Sequence, residues 1–364
     1  MNLQESDLHY PFDTADGETL PAGGTTLEVA PGVKWIRMAL PFALNHINLW
    51  LLRDNMDDRA GWTVVDCCID RPESRAQWTQ IFENELEGLP ILRVIVTHMH
   101  PDHIGLAHWL CAHWSTAEHP CRLWISATDF NAARMACQVA AGHGGEAAAS
   151  FVASHGMSNP DYLKQIRERT GYYAQMVPSV PSSYVRIMDG MKIRIGGHEW
   201  HCISGYGHAP EHIALHCPEL KVLISGDMIL PRISTNVSVY DLEPEANSLT
   251  LFLDSIDRFA PLPPDTLTLP SHGKPFTGLH ERIAQLHAHH AERLQEVIDA
   301  CTQQPQTAHD IVAIMFKRAL DLHQLTFAQG EALAHLHKLW FEGKLVRRHV
   351  HGIYRFSAAQ AISQ

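Results

Sequence analysis

The chain has 364 residues, of which 45% are hydrophobic and 19% are charged, and its mean hydropathy is −0.14. These values exclude collagen-like, disordered and coiled-coil chains, and the length predicts roughly two domains. The formal net charge of −12 opposes binding of nucleic acid or anionic membranes by the surface as a whole, so any nucleic-acid contact requires a local basic patch.

The N-terminal segment and the cysteines bear on location. Residues 1–24 are acidic and lack the apolar core of a secretory signal, and no apolar run reaches the length of a membrane span. None of the eight cysteines has C-x-x-C spacing, which predicts reduced and mostly buried thiols. We therefore expect a cytoplasmic protein without a membrane partner.

Strand-like apolar runs occur in two groups. The first group comprises residues 27–40, 48–53, 62–66 and 91–97, and the second comprises residues 191–203, 222–226 and 266–269. Gly196 and Gly197 are predicted to lie inside a strand, and residues 72–87 are predicted to form a helix. Two strand groups with helices between them predict an α/β fold of packed sheets with helices outside.

Alanine-rich helical patterns separate the two strand groups. They cover residues 131–141, 146–155 and 161–173, and a proline-rich stretch over residues 178–183 follows them. This segment, at about residues 128–183, is predicted to be an inserted helical cap.

The C-terminal part of the chain has a different pattern. A long helix over residues 278–302 carries several histidines, and His287, His289 and His290 are predicted on its solvated faces. After a Gln- and Pro-rich linker, helices are predicted over residues 308–321 and 329–342, then a hairpin around Gly352. This order predicts a winged helix-turn-helix domain over residues 304–364, next to a larger domain over residues 1–303.

The segment THMHPDHIG, residues 97–105, directly follows an apolar strand and is rich in metal-ligand side chains. Because alternate residues of an extended run point the same way, the first two histidines are placed to hold one ion. The turn at Pro101 then directs the aspartate and the last histidine toward another. The four candidate ligands are His98, His100, Asp102 and His103.

Three further ligand-type residues each follow a predicted strand. His208 lies in GYGHAPEH, Asp227 ends the strand over residues 222–226, and His272 lies in PSHGKP. Strand ends that meet at one edge form a site, so these residues are expected to join the histidine-rich segment.

The motifs HxHxDH and GHxxxH, then a lone Asp after a strand and a lone His before Gly, resemble the metallo-β-lactamase superfamily over about residues 25–300. The resemblance implies an αββα sandwich with two bound divalent metal ions, zinc or alternatively iron or manganese. It implies that the first metal is held by His98, His100 and His208, the second by Asp102, His103 and His272, and that Asp227 bridges them.

Two supporting residues follow from the same resemblance. Asp66, at the end of a strand, matches an aspartate that contacts a metal ligand, although the glycine usual two residues later is absent here. His212 matches the second histidine of GHxxxH and is expected either to support the site by hydrogen bonding or to contact substrate.

A binuclear site of this kind predicts a hydrolase in which a metal-bound hydroxide attacks the substrate. Asp102 and Asp227 are the catalytic candidates, because both fix the metal pair and the resemblance implies that Asp102 orients the nucleophile or carries a proton. The superfamily hydrolyses β-lactams, thioesters, lactones and phosphodiesters, so the ligands do not choose the substrate. If the helical cap roofs the cleft, a small ester, thioester or lactone is favoured.

The C-terminal segment supports an alternative. It resembles the winged-helix extension of a branch that includes endoribonucleases, and residues 315–356 contain seven Lys or Arg against three Asp or Glu. A basic winged helix can hold phosphates, but it can also pack against its own catalytic domain or against a second subunit of a homodimer. An iron-dependent redox enzyme remains a further alternative, although no flavin-type domain follows.

Overall fold

The structure, a computed structural model, describes residues 7–14, 17, 19–138 and 144–359. Its contacts divide the chain into two compact units. The first unit comprises Met1–Gln138, Tyr173–Thr235 and Ser255–Ile283, and the second comprises Val139–Tyr172, Asn236–Asp254 and Ala284–Gln364. Part of the predicted cap thus belongs to the same unit as the C-terminal region. The domain boundary between residues 303 and 304 stays a prediction.

The first unit contains two β-sheets. A seven-stranded sheet has its strands in chain order, β1 (Leu27–Ala30), β2 (Val33–Ala39), β3 (His46–Met56), β4 (Arg59–Val65), β5 (Ile91–Ile95), β6 (Arg122–Ile125) and β7 (Tyr184–Arg186). A five-stranded sheet has the order β12-β11-β10-β9-β8, with β8 (Lys192–Ile195), β9 (His198–Gly205), β10 (His212–Cys217), β11 (Val222–Gly226) and β12 (Leu267–Pro270). The predicted α/β class with packed sheets is confirmed.

Apolar side chains on both faces of β3 explain why its sequence is almost continuously hydrophobic. Trp50 and Leu52 pack between the two sheets, against side chains such as Trp200 of β9. Leu49 and Leu51 point to the other face and join a second core. Strands buried on both faces show such unbroken apolar runs.

The second core includes three helices of the first unit. These are α1 (Pro72–Asn84), α3 (Ala107–Trp114) and α4 (Ala127–Ala136), and the short α2 (Pro101–Ile104) precedes α3. Pro72 starts α1, and the side chain of Ser126 caps α4 by accepting a hydrogen bond from the Asp129 amide. Helices therefore cover the outer face of the seven-stranded sheet.

The remaining helices lie wholly or partly in the second unit. They are α5 (Gly145–Ser154), α6 (Pro160–Glu168), α7 (Ser248–Asp257), α8 (Leu279–Gln303), α9 (Ala308–Met315) and α10 (Leu322–Phe341). A hairpin of β13 (Leu345–Val350) and β14 (Ile353–Ala358) ends the described chain. The predicted order of helix, helix and hairpin is present, and its classification as a winged helix stays a prediction. Among the described residues, no helix has both the length and the apolar character that a membrane span needs.

Several predicted elements differ from the structure. The run over residues 27–40 is two strands joined by a turn at Gly32, and Gly196 and Gly197 form the turn between β8 and β9 rather than lying inside a strand. Glycines with positive φ at Gly32 and Gly196 permit these reversals. The strand β10 was not predicted because His212 and His216 interrupt its apolar pattern, although all six of its residues are buried.

The helices of the C-terminal region also differ from prediction. The helix α10 begins seven residues before the predicted start at residue 329, since the Asp321 side chain caps it, and α9 correspondingly ends at Met315. His290 is fully buried rather than solvated, with its Nδ1 3.2 Å from Nε2 of His335. The predicted helix over residues 131–141 corresponds to α4, and its residues 139–141 lie outside the described part of the chain.

All eight cysteines are free thiols, as predicted, and seven of them are buried.

Candidate metal centre

The candidate ligands lie where strands of the two sheets end. In the seven-stranded sheet, β4, β5 and β6 run parallel, and the segment that contains His98 follows β5. In the five-stranded sheet, β9, β11 and β12 share one direction and lead to His208, Asp227 and His272. A hydrogen bond of 2.8 Å from the Ile213 amide to the Thr97 carbonyl joins the two sheets here. Strand direction thus brings distant segments to one edge.

The structure brings all seven predicted ligands together in two groups. Within each group, one ligand atom from every member lies within 4.8 Å of those of the other members. The first group contains His98, His100, His208 and Asp227, and the second contains Asp102, His103 and His272. This division matches the sets implied by the resemblance, with Asp227 belonging to the first set and also contacting the second.

Short distances join the two groups through the Asp227 carboxylate. Its Oδ2 lies 3.2 Å from His208 Nε2 and 3.6 Å from His103 Nε2, and its Oδ1 lies 3.4 Å from His272 Nε2. The Asp102 Oδ2 lies 3.4 Å from the same nitrogen of His272. The Asp227 carboxylate therefore contacts members of both groups.

The donor chemistry fits divalent cations. Two nitrogens in the first group converge on His98 Nε2, namely His100 Nδ1 at 2.9 Å and His208 Nε2 at 3.2 Å. In the described part of the chain, His103 Nε2 and Asp227 Oδ1 are buried without a hydrogen-bond partner. Buried polar atoms normally have partners, and a cation coordinated by imidazoles and carboxylates would supply them.

The electrostatics of the site also favour bound cations. Burial, and then neighbouring imidazoles, hold the pKa values of His98 and His100 well below the usual range, so both rings are neutral and offer lone pairs. Burial would also lower the pKa of His272, but the carboxylates of Asp227 and Asp102 raise it to about 10. The buried carboxylates therefore attract positive charge, which divalent cations can supply.

Asp66 orients one of the candidate ligands. Its Oδ2 accepts a hydrogen bond of 2.7 Å from His103 Nδ1, which leaves Nε2 of that ring to face the site. The Thr97 amide and hydroxyl donate to the same carboxylate. Burial would lower the pKa of His103, but Asp66 and then the two aspartates of the site raise it well above the usual range. Cys68, two residues after Asp66, has a φ of 70° and so adopts a left-handed conformation without glycine.

His212 supports Asp227 and is absent from both candidate ligand groups. Its Nε2 accepts a hydrogen bond of 3.2 Å from the Asp227 amide. Its ring packs so closely on Gly226 that a Cβ at that glycine would lie 2.0 Å from Nε2. Gly226 also has a φ of 54°, so both space and backbone conformation call for glycine directly before Asp227.

We expect Gly226→Ala to disturb the candidate metal centre. The methyl group would displace His212 or the Asp227 backbone, and the positive φ would add a cost of about 1 kcal/mol. Metal affinity, measured by competition with a chromophoric chelator, is expected to fall at least about tenfold. Gly197→Ala is the matched control, because a Cβ at Gly197 meets no atom within 4 Å. Equal affinities for the two variants would contradict the role assigned to Gly226.

His46 and Asn48 support His272 and were not predicted. The carbonyl oxygen of His46 accepts a hydrogen bond of 2.7 Å from His272 Nδ1, and the His46 Nε2 accepts one of 2.7 Å from the Gly273 amide. Asn48 Nδ2 donates to the carbonyls of Pro270 and Gly273. Both residues belong to β3, so one sheet holds a ligand loop of the other. No sequence motif marks them, because their partners lie more than 220 positions away.

Comparison with known proteins supports the family resemblance of the sequence motifs. Residues 44–272 match the family described as the metallo-beta-lactamase superfamily. Residues 294–359 match the metallo-beta-lactamase-like C-terminal domain. The first match contains every candidate ligand.

Individual relatives are similar over 83% to 98% of the chain. A beta-lactamase domain protein from Burkholderia ambifaria shares 54% sequence identity with a TM-score of 0.90, covering 98% of this chain and 99% of that one. A metallo-beta-lactamase family protein from Thermus thermophilus shares 25% identity with a TM-score of 0.70, covering 91% and 100%. The probable metallo-hydrolase YqjP of Bacillus subtilis (strain 168) is 24% identical over 308 residues, 83% of this chain and 90% of that protein.

Proposed function

The chain belongs to the metallo-beta-lactamase superfamily and is a metallo-hydrolase of that superfamily, and from this premise we propose that it is a binuclear enzyme acting on a small ester, thioester or lactone. In this proposal the first metal is held by His98, His100 and His208, the second by Asp102, His103 and His272, and Asp227 bridges them. Zinc is the proposed metal, because imidazole and carboxylate ligands suit it, although the same ligands also suit iron and manganese.

The position of Asp227 is the observation that carries the proposal. Its Oδ2 lies 3.2 Å from His208 Nε2 of the first group and 3.6 Å from His103 Nε2 of the second, and its Oδ1 lies 3.4 Å from His272 Nε2 of the second. A carboxylate can coordinate two cations through its two oxygens.

Two histidines of the second group are oriented by neighbours. Asp66 accepts the Nδ1 proton of His103, and the His46 carbonyl accepts that of His272, so both rings present Nε2 to the site. Asp102 keeps 19% of its side chain exposed, whereas His98 and His103 are fully buried. The family resemblance implies that Asp102 orients a water nucleophile or carries a proton, and its partial exposure to solvent supports that role.

Divalent cations bound there would lower the pKa of a coordinated water and polarise the substrate carbonyl. The protein's own contribution is to hold the imidazoles of His98 and His100 neutral and the carboxylates of Asp102 and Asp227 ionised before the substrate arrives. Burial and adjacent imidazoles keep the pKa of His98 low, which keeps its lone pair available at neutral pH.

Charge supports a small substrate rather than RNA. The net charge of −12 repels a polyanion over most of the surface. In the C-terminal hairpin, Arg347 is already paired with Glu245 and lies 3.8 Å from the ring centroid of Trp340. One residue of the predicted basic patch is thus engaged in packing, which weakens the endoribonuclease alternative.

A substrate panel tests the proposal. The metal-replete protein is assayed with acyl-CoA thioesters, homoserine lactones, aryl esters and chromogenic phosphodiesters, and its metal content is measured. We expect about two metals per chain and turnover of at least one acyl substrate, lost on chelation and restored by Zn²⁺. Cleavage of RNA or phosphodiesters alone would favour the endoribonuclease, and one iron per chain without hydrolysis would favour redox chemistry; either result would overturn the proposal.

A further inference from the structure

Asp129 is a buried carboxylate that touches both loops of the first ligand group. It lies in the first turn of α4, and its exposure is 0%. Its Oδ1 accepts a hydrogen bond of 2.7 Å from the Met99 amide, and its Oδ2 accepts one of 2.6 Å from the Glu211 amide. Met99 stands between His98 and His100, and Glu211 follows His208 by three residues.

We propose that Asp129 is a positioning residue that ties these two loops together and thereby sets the spacing of His98, His100 and His208. The inference rests on the proposed metal centre and assigns Asp129 no contact with metal or substrate. The two loops come from different sheets, one after β5 and the other after β9. A single side chain that bonds both therefore couples ligands that are about 110 positions apart.

The Met99 peptide is fixed from a second side. The Tyr173 hydroxyl donates a hydrogen bond of 2.5 Å to the Met99 carbonyl, and this tyrosine is 7% exposed. The amide and the carbonyl of one residue between two ligands are therefore both held by buried side chains. Such restraint limits rotation of the backbone that carries His98 and His100.

A carboxylate is required for this role because two amides must each find an acceptor oxygen. Asparagine offers one acceptor oxygen and one NH₂ group, so it would place a donor against either the Met99 or the Glu211 amide. Burial of a carboxylate is costly unless hydrogen bonds compensate it, and Asp129 accepts bonds from both loops and from the Ser126 hydroxyl at 3.2 Å.

The alternative explanation is that Asp129 only stabilises the start of α4. A variant of Ser126 distinguishes this explanation from the positioning role. The Ser126 hydroxyl accepts the Asp129 amide proton and caps α4, and its hydrogen bonds within the described part of the chain go to Asp129 rather than to either ligand loop. Ser126→Ala should therefore destabilise the helix while leaving the bonds to Met99 and Glu211 in place. Asp129→Asn should disturb those bonds while leaving the cap in place.

The test measures metal affinity on the full-length protein. Metal-free wild type, Asp129→Asn, Tyr173→Phe and Ser126→Ala are titrated with Co²⁺ in competition with a chromophoric chelator, and the visible spectrum of bound Co²⁺ and the Tm of the metal-free protein are recorded. We expect Asp129→Asn to weaken one Co²⁺ equivalent by about 10- to 100-fold and to change its spectrum, with the other equivalent unaffected. Tyr173→Phe should act on the same equivalent more weakly, and Ser126→Ala should lower Tm alone.

The outcomes separate this inference from the proposed function. Unchanged Co²⁺ affinity and spectrum in Asp129→Asn, with a lower Tm as in Ser126→Ala, would overturn the role of Asp129 and leave the metal centre intact. If Asp129→Asn does not fold, the Tyr173→Phe variant becomes the test. Unchanged Co²⁺ affinity in Tyr173→Phe would then overturn the proposed positioning of the Met99 peptide. A wild-type protein that binds no Co²⁺ would overturn the metal centre itself, and with it the role of Asp129.

Discussion

Asp227→Ala is expected to lose bound metal and hydrolytic activity together. The substitution removes the carboxylate whose oxygens lie 3.2 Å from His208 Nε2 and 3.4 Å from His272 Nε2, and with it a negative charge that faces both groups. Loss of a supporting residue around a metal typically costs 10- to 100-fold in affinity or activity, so loss of the bridging group should cost at least about 100-fold in kcat/KM. Metal content by elemental analysis and the rate on the best acyl substrate are the measurements.

Asp265→Ala is the matched control for this experiment. Asp265 is also an aspartate, but it lies on the surface and pairs with Lys221, with 57% of each side chain exposed. Its removal should change neither metal content nor rate. An Asp227→Ala protein that keeps two metals per chain and the rate of the wild type would refute the bridging role.

Asp54→Ala is expected to cause a large loss of stability. The Asp54 carboxylate lies 2.7 Å from Arg93 Nη2, and the exposures of the two side chains are 0% and 4%. Arg93 also donates to the Arg194 carbonyl, and the Gly196 amide donates to Asp54, so the pair joins the seven-stranded sheet to the β8–β9 turn. Removing one partner of a buried pair leaves an uncompensated charge, which typically costs about 3–5 kcal/mol.

Urea denaturation of the metal-free protein measures this effect. The double variant Asp54→Leu/Arg93→Met should recover part of the loss, because neither charge then remains buried, while the Gly196 amide still lacks its acceptor. Glu199→Ala is the exposed counterpart, since Glu199 pairs with Lys192 at 2.8 Å while more than half of each side chain is exposed. It should cost less than about 1 kcal/mol. Similar losses for Asp54→Ala and Glu199→Ala would contradict the interpretation.

The predictable part of the site consists of residues at the ends of apolar strands. His98, His208 and Asp227 follow β5, β9 and β11, whose hydrophobic patterns are visible without coordinates. Their order in the chain was sufficient for the family resemblance, and the structure places all seven candidate residues in two groups. Their action as ligands remains a proposal for the metal measurements above.

The supporting residues were harder to predict. His46 and Asn48 begin a strand that resembles any other buried strand, and Asp129 resembles an ordinary aspartate near the start of a helix. Their contacts with the ligand loops depend on register and sheet packing, which bring together residues 30 to more than 220 positions apart. His290 was predicted to be solvated but is buried. The polar sequence of its helix does not indicate which of its histidines is buried.

The amino-acid sequence was sufficient to predict the α/β class, the ends of several strands and the side chains that can bind a cation. Hydrophobic periodicity and ligand chemistry act over a few residues, so they can be read along the chain. Tertiary structure alone decided that Asp227 faces both groups, that Gly226 admits no side chain beside His212, and that Asp129 joins two loops. These features arise where separate segments meet, and the position of one segment relative to another depends on the packing of both sheets.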